Sequence, residues 1–504
     1  MDLINGFINL FTNLEALGFV ILASFVGIVA GALPGLTASA AIAMLLPLSF
    51  HLDALSALAF LYVIGKSGRY GGSIAAILFN TPGTAASAAT MQDGYPMTQQ
   101  GKAGKALKTA TLASVVGDYF GEIVLILGAV LIATFTSQFG PTEYFAIYVM
   151  AFVVIGSVVG KSVLKGILST LLGAIVALIG LDSITAEPRM TMGIYELEDG
   201  LALVPLLIGV FVISEIIVQA EQAARKGLQE SYKKRSDNPE DNKQTWPEFL
   251  RCVPLMLRSS AIGSFIGMMP GLGSSVACFV AYGEEKRRSK NPEKWGTGIV
   301  EGIAAPESAN NAVSGPSMIP LLTLGIPGST VAAILVGVFL IHGIQVGPTI
   351  FTDPTSRELI FSLFAAGLVG IACYGAMGYW GGPAIGAVIA YLPARLLYPF
   401  IFLTAIAAAY SSRASIMDVV IALLFGIIGY VMRRTEFSTA AFVIAFVLAR
   451  NAEEAFRQAV LLSNDGALIF FKEPVSLTFL CLGFGVLAFR AYSVSKAKKA
   501  KGSG

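Results

Sequence analysis

Four Pro-Gly pairs punctuate the chain, at residues 34–35, 82–83, 270–271 and 327–328, each between apolar runs. Proline lacks the N–H that a helix interior needs, and glycine costs about 1 kcal/mol there relative to alanine, so each pair breaks a helix. A half-helix that starts at such a break turns free N–H groups and roughly half a unit of positive charge toward whatever lies beyond. One that ends there presents carbonyl oxygens. The first arrangement suits a carboxylate and the second a cation. Small polar residues flank every break: Thr37 and Ser39; Asn80 and Thr81 beside Pro82 and Gly83; Gly273, Ser274 and Ser275; and Gly328, Ser329 and Thr330. They form a candidate ligand-binding set, although Ser and Thr at such positions would also serve as plain helix caps.

The stretch Ala305-Pro-Glu-Ser-Ala-Asn-Asn-Ala-Val-Ser314 adds Asn310 and Asn311 to that set. Glu307, Asn310 and Asn311, at i, i+3 and i+4, share one helix face. Burying a carboxylate and two amides is costly unless they meet partners or water; a helix end lying in the membrane interface is the plainer alternative. Asp118 and Glu122 form an i, i+4 acidic pair. Asp118 lies about nine residues, roughly 14 Å, into the apolar run that starts near Thr109. Acids at that depth mark ion or proton paths, or else pair with a basic residue of a neighbouring span to fix packing. Asp118, Glu122 and Glu307 are thus the candidate ion-coupling residues.

Other chemistries find little support. Cys252, Cys278, Cys373 and Cys481 are scattered in or beside apolar runs without metal-ligand spacing, and the two histidines, His51 and His342, are far apart. Gly156-Ser-Val-Val-Gly-Lys-Ser162 is one residue short of a phosphate loop and ends an apolar run. No cofactor is expected.

The elements that must position these residues are membrane helices. Of 504 residues 55% are hydrophobic and 13% charged, with mean hydropathy +0.73, which implies an all-α polytopic membrane protein. Gly31-Ala-Leu-Pro-Gly-Leu36 has the pattern of Gly267-Met-Met-Pro-Gly-Leu272, and Asn80-Thr-Pro-Gly-Thr84 is echoed by Gly325-Ile-Pro-Gly-Ser329. Interrupted apolar segments in corresponding positions of two halves point to a transporter binding site. The expected plan is two inverted-topology repeats, 1–219 and 253–495, joined by a charged cytoplasmic linker, 220–252, and followed by a basic cytoplasmic tail, 496–504. Each repeat carries two Pro-Gly-broken re-entrant hairpins plus transmembrane helices, about 11 crossings in all. Spans are expected near 109–136, 144–160, 162–181, 201–219, 358–378, 382–403, 415–432, 437–455 and 475–493.

Orientation follows from basic residues. No Lys or Arg precedes Lys66, so the N-terminus is expected outside, in the periplasm. A short crossing near Leu52–Ile64 would bring Lys66 and Arg69 inside. The acidic loop Asp182–Asp199 falls outside, and the linker, the loop Glu284–Lys294 and the C-terminus fall inside. The arms around Pro270-Gly271 are each shorter than the twenty or so residues that easily span a bilayer, and basic stretches flank both.

Together, Gly31–Leu36, Tyr70-Gly-Gly-Ser73, Asn80–Gly83, Asp93-Gly-Tyr-Pro96, Gly267–Leu272, Ala304–Asn311 and Ile319–Gly328 resemble the TctA family, the large membrane subunit of tripartite tricarboxylate transporters. The resemblance spans nearly the whole chain. It implies a bacterial inner-membrane permease that works with a small TctB-like membrane subunit and a periplasmic TctC-like solute-binding protein. It also implies a di- or tricarboxylate substrate, citrate or a relative, driven by a sodium or proton gradient. An anion channel and an intramembrane enzyme are the rival classes. Duplicated hairpins are nothing an enzyme needs, and no convincing nucleophile–base pair is present. A channel would need neither binding protein nor ion gradient.

Overall fold

The computed structural model describes residues 1–33, 36–136, 138–158, 162–182, 184–226, 242–391 and 394–501. Pro34 and Gly35, the tip of the first break, lie outside them, as do linker residues 227–241. The described chain is helical apart from one short antiparallel pairing, β1 (Gly180–Leu181) with β2 (Pro188–Arg189). Helices α1 (Asp2–Thr12) and α2 (Leu14–Ala32) lead into the first break, which α3 (Ala38–Leu45) leaves. Then come α4 (Ala54–Phe79), the second break, α5 (Ser87–Gln99), α6 (Ala103–Thr136), α7 (Pro141–Val158) and α8 (Val163–Ala177). After the 180–200 loop, α9 (Leu203–Leu207) passes through a π-turn into α10 (Ser214–Lys226).

The chain resumes with α11 (Trp246–Gly267), the third break, α12 (Gly273–Arg288) and α13 (Val300–Ala312). Short α14 (Ile319–Leu324) ends at the fourth break, and α15 (Thr330–Ile341) leaves it. The remainder is α16 (Pro354–Tyr391), α17 (Ala394–Ser411), α18 (Ile416–Arg434), α19 (Thr439–Leu462), α20 (Ile469–Lys472) and α21 (Pro474–Lys501).

Among the described residues, seven helices are long and apolar enough to cross a membrane, eight if the pair bent by 79° at Glu473 counts as one span. The protein is therefore an all-α, multi-pass membrane protein. Other apolar helices, among them α8 and α15, are shorter.

Three expectations change. The helix α4 does not stop near Ile64; it runs unbroken for 26 residues, about 39 Å, with Lys66 and Arg69 near its middle. Those cations are not interfacial markers, because Lys66 finds carboxylates inside the protein. The helix α11 starts at Trp246, within the charged stretch, where Thr245 and Glu248 form a reciprocal cap. It thereby reaches 22 residues and spanning length. Finally, 382–403 is not a separate span: α16 continues through Pro383 for 38 residues, since a single proline removes one hydrogen bond without ending a helix that its neighbours hold.

Close packing follows small residues. A Cβ at Gly31 of α2 would lie 2.1 Å from the Gly68 carbonyl oxygen of α4, and one at Gly71 2.4 Å from that of Ile28. Such stripes let backbones approach where lipid offers no hydrophobic drive between helices. On α6, Gly117 and Gly121 abut the carbonyls of Ser308 and Ala312, while Gly263 of α11 abuts that of Ala309. Thus α13 is wedged between α6 and α11, and every residue from Gly302 to Ala312 is buried.

Candidate functional site

The breaks touch one another. The Gly271 N–H of the third donates to the Gly328 carbonyl of the fourth at 3.3 Å. Ser39, in the first turn of α3, shares a 2.9 Å hydrogen bond with Thr330, the first residue of α15. At the second break, the Gly83 N–H reaches back to the Gly72 carbonyl at 3.4 Å, and a Cβ on Gly83 would fall 2.7 Å from the Gly31 carbonyl oxygen. All four breaks are joined by these contacts.

Within this cluster the candidate residues divide. Thr37 and Ser329 act as N-caps, accepting from the Ala40 and Ala332 N–H groups at 3.1 and 3.2 Å. Gly273, at φ +70°, opens α12, and Ser274 and Ser275 occupy its first turn, each half-buried. Asn80 ends α4 in the left-handed region at φ 53°, which its short amide side chain tolerates. Asn80, Thr81 and Pro82 are exposed, away from the enclosed part of the cluster.

Two buried polar centres flank the breaks. In the first, the Lys66 ammonium lies 2.7 Å from both Asp118 Oδ1 and Glu122 Oε2, and all three side chains are fully buried. The Tyr62 hydroxyl donates to Glu122 at 2.8 Å and the Tyr374 hydroxyl to Asp118 at 3.1 Å. In the second, Glu307 accepts from Ser73 at 2.5 Å, from Thr90, and from Ser114 at 3.0 Å. Asn311 backs this cage, donating to the Ser114 hydroxyl at 2.8 Å, while its own Oδ1 is buried without a partner. Asn310 is buried with an unpartnered Nδ2. Among the described residues no Lys, Arg or His nitrogen pairs with Glu307.

Asp93 does a different job. Its carboxylate accepts from the N–H groups of Gly296, Gly298 and Ile299 and from the Tyr282 hydroxyl, tying the loop between α12 and α13 to α5. Both loop glycines sit at positive φ, +91° and +103°, where a side chain would strain the turn.

Residues 17–444 match the tripartite tricarboxylate transporter TctA family. The chain belongs to that family. Its members are membrane components of tripartite tricarboxylate transporters, a transporter family. Two relatives from Agrobacterium vitis carry names without a function. An uncharacterized 52.8 kDa protein in the TAR-I ttuC' 3' region is 34% identical over 479 residues, 94% of this chain and 93% of that one. An uncharacterized protein in the TAR-II ttuC' 3' region is 38% identical over 223 residues, 44% of this chain and 90% of its own. No solved structure matches.

Lys66, Ser73, Thr90 and Ser114 were not singled out by sequence. Of these only Lys66, with its neighbour Arg69, carried a local signal. The apolar character of the chain continues past Arg69 to Phe79, so both cations could have been placed within a span.

Proposed function

We propose that this TctA-family protein is an ion-gradient-driven symporter that takes a di- or tricarboxylate of the citrate type across the bacterial inner membrane by alternating access. A periplasmic TctC-like solute-binding protein delivers the substrate, and a small TctB-like membrane subunit completes the complex. The two halves form inverted repeats, with the N-terminus in the periplasm and the C-terminus in the cytoplasm. Each contributes two broken hairpins whose tips surround the substrate. The observation that carries this reading is the contact of all four helix breaks, from Gly83 and Gly31 through Ser39 and Thr330 to Gly328 and Gly271. Substrate carboxylates meet helix N-termini there, with Ser39, Ser274, Ser275 and Thr330 at hand. The coupling cation binds at Glu307, because the Asp118–Glu122 pair already holds Lys66.

The test is uptake of labelled citrate and succinate into proteoliposomes containing all three subunits, with sodium and pH gradients imposed separately. Accumulation against a concentration gradient that needs one of those gradients supports the reading. Downhill flux indifferent to both would make the protein a channel. For orientation, single cysteines at Glu196 and Lys243, in a background without native cysteines, should be labelled from opposite sides of intact cells.

A further inference from the structure

Between Leu55 and Leu78 of α4, every residue is buried but one, Arg69. The middle of an otherwise enclosed helix is therefore partly accessible at Arg69. Three glycines beside it, two on its own face and Gly68 on the adjoining one, show what packs around that position. Gly65, Gly68 and Gly72 stand at i−4, i−1 and i+3 from Arg69. A Cβ at Gly65 would lie 2.9 Å from Val331 in the first turn of α15, and one at Gly68 2.8 Å from Ala38, the first residue of α3. One at Gly72 would meet Thr84 of the second break at 3.2 Å. The start of α15 and the second break close on the face from which Arg69 projects, and the start of α3 closes on the adjoining one.

The guanidinium itself is under-used. It has five N–H donors, and its hydrogen bond in the protein is a long one, from Nη1 to the Asn310 carbonyl at 3.4 Å. Among the described residues no carboxylate pairs with it. In the nearest ionic cluster, one helical turn away, Lys66, Asp118 and Glu122 are engaged with one another and with two tyrosine hydroxyls, and Glu122 Oε1, buried without a partner, does not reach Arg69. A cation this deep is expensive unless something meets its charge. Arginine's planar fork matches a carboxylate with two parallel hydrogen bonds.

We infer that Arg69 is a specificity-determining residue of the transport site: it receives one carboxylate of the substrate in a forked ion pair, while the starts of α3 and α15 supply uncharged donors to the rest of the anion. This rests on the carboxylate-transport reading above and deepens it. It also explains why a substrate would carry more than one acidic group: a fixed cation engages one, and helix N-terminal N–H groups engage another.

The experiment is calorimetric binding of acetate, succinate, succinamate and citrate to the purified full-length protein and its Arg69→Gln and Arg69→Lys variants. The parent should bind succinate or citrate. Arg69→Gln should weaken that binding about 10- to 100-fold. Arg69→Lys should fall between, keeping the charge and losing the fork. Succinamate, in which an amide replaces one carboxylate, should lose much less on going from parent to Arg69→Gln, because the group that the arginine reads is already gone. A merely structural role would weaken succinate and succinamate alike, and that result overturns the inference. So does unchanged binding in Arg69→Gln. If the parent binds none of the four, the carboxylate reading fails as well. As an independent check, Arg69→Cys in a background lacking native cysteines should react with a water-soluble sulfonate thiol reagent, and the bound carboxylate should slow that reaction. An unreactive cysteine would show that no ligand-accessible space exists there.

Discussion

The Lys66 and Glu307 centres use the same two helices and reach opposite solutions. From α4 come Lys66 and, seven residues on, Ser73; from α6 come Ser114 and then Asp118 and Glu122. At one level two carboxylates close on a tethered ammonium. Two turns away a third carboxylate is held by hydroxyls alone. A lysine ammonium cannot leave, so the first centre is permanently occupied. Hydroxyls can donate to a bare carboxylate or turn their lone pairs to a cation beside it, so the second can cycle.

The largest effect should come from breaking the first centre. Lys66→Met leaves two buried carboxylates without a cation, and removing one partner of a buried pair costs about 3–5 kcal/mol. We expect little folded protein, measured as monodisperse material after purification. Adding Asp118→Asn and Glu122→Gln should restore it, because a buried ionic group replaced as a whole by neutral ones is often tolerated. If Lys66→Met alone gives as much folded protein as the parent, the centre is not held together by its charges.

The second prediction separates the centres by function. Glu307→Gln keeps an acceptor for the hydroxyl cage and loses the charge. It should fold, abolish uphill accumulation, and leave substrate exchange. Asp118→Asn leaves Lys66 paired with Glu122 and should still accumulate substrate. Concentrative uptake by Glu307→Gln, with its loss in Asp118→Asn, would reverse the assignment.

This difference was only half visible in the sequence. Broken helices could be located from Pro-Gly pairs because proline and glycine act locally, through a missing N–H and a missing Cβ. The all-α membrane class followed from composition for the same reason. The acids Asp118, Glu122 and Glu307 could be singled out because a charge in an apolar run is costly wherever the run packs. Their partners could not, since Lys66 comes from 52 residues before Asp118, and Ser73 and Ser114 each meet Glu307 from about two hundred residues away. Lys66 and Arg69 were misplaced for a related reason. The rule that puts basic residues at the cytoplasmic face assumes that they are solvated, and here one is paired inside the protein. The boundary between the expected spans 358–378 and 382–403 failed because Pro383 looks locally like a stop, whereas neighbouring helices carry α16 through it.

The smallest effect is expected where the same chemistry meets water. In the 180–200 loop, Arg457 of α19 bridges Asp182 at 2.7 Å and Glu453 at 2.5 Å, and Arg189 binds Glu453 at 2.8 Å. As at Lys66, one cation links two carboxylates, yet both arginines keep over a quarter of their side-chain surface in solvent. The Asp182 carboxyl is held well below the usual range, first by the Thr185 backbone N–H and then by Arg457. A folded-state value below the unfolded one stabilises above the unfolded pKa of about 3.9, and that contribution fades as pH falls through the folded value. Between pH 5 and 8 the loop therefore adds no pH dependence through Asp182. Arg457→Ala leaves Asp182 with its backbone donors and Glu453 with Arg189, so neither acid is stranded. Its melting temperature should fall far less than that of any recoverable Lys66→Met protein, equally at pH 5 and pH 8, and by less in high salt, where exposed pairs are screened. A fall as large as the Lys66 effect would mean that burial is not what distinguishes the two constellations.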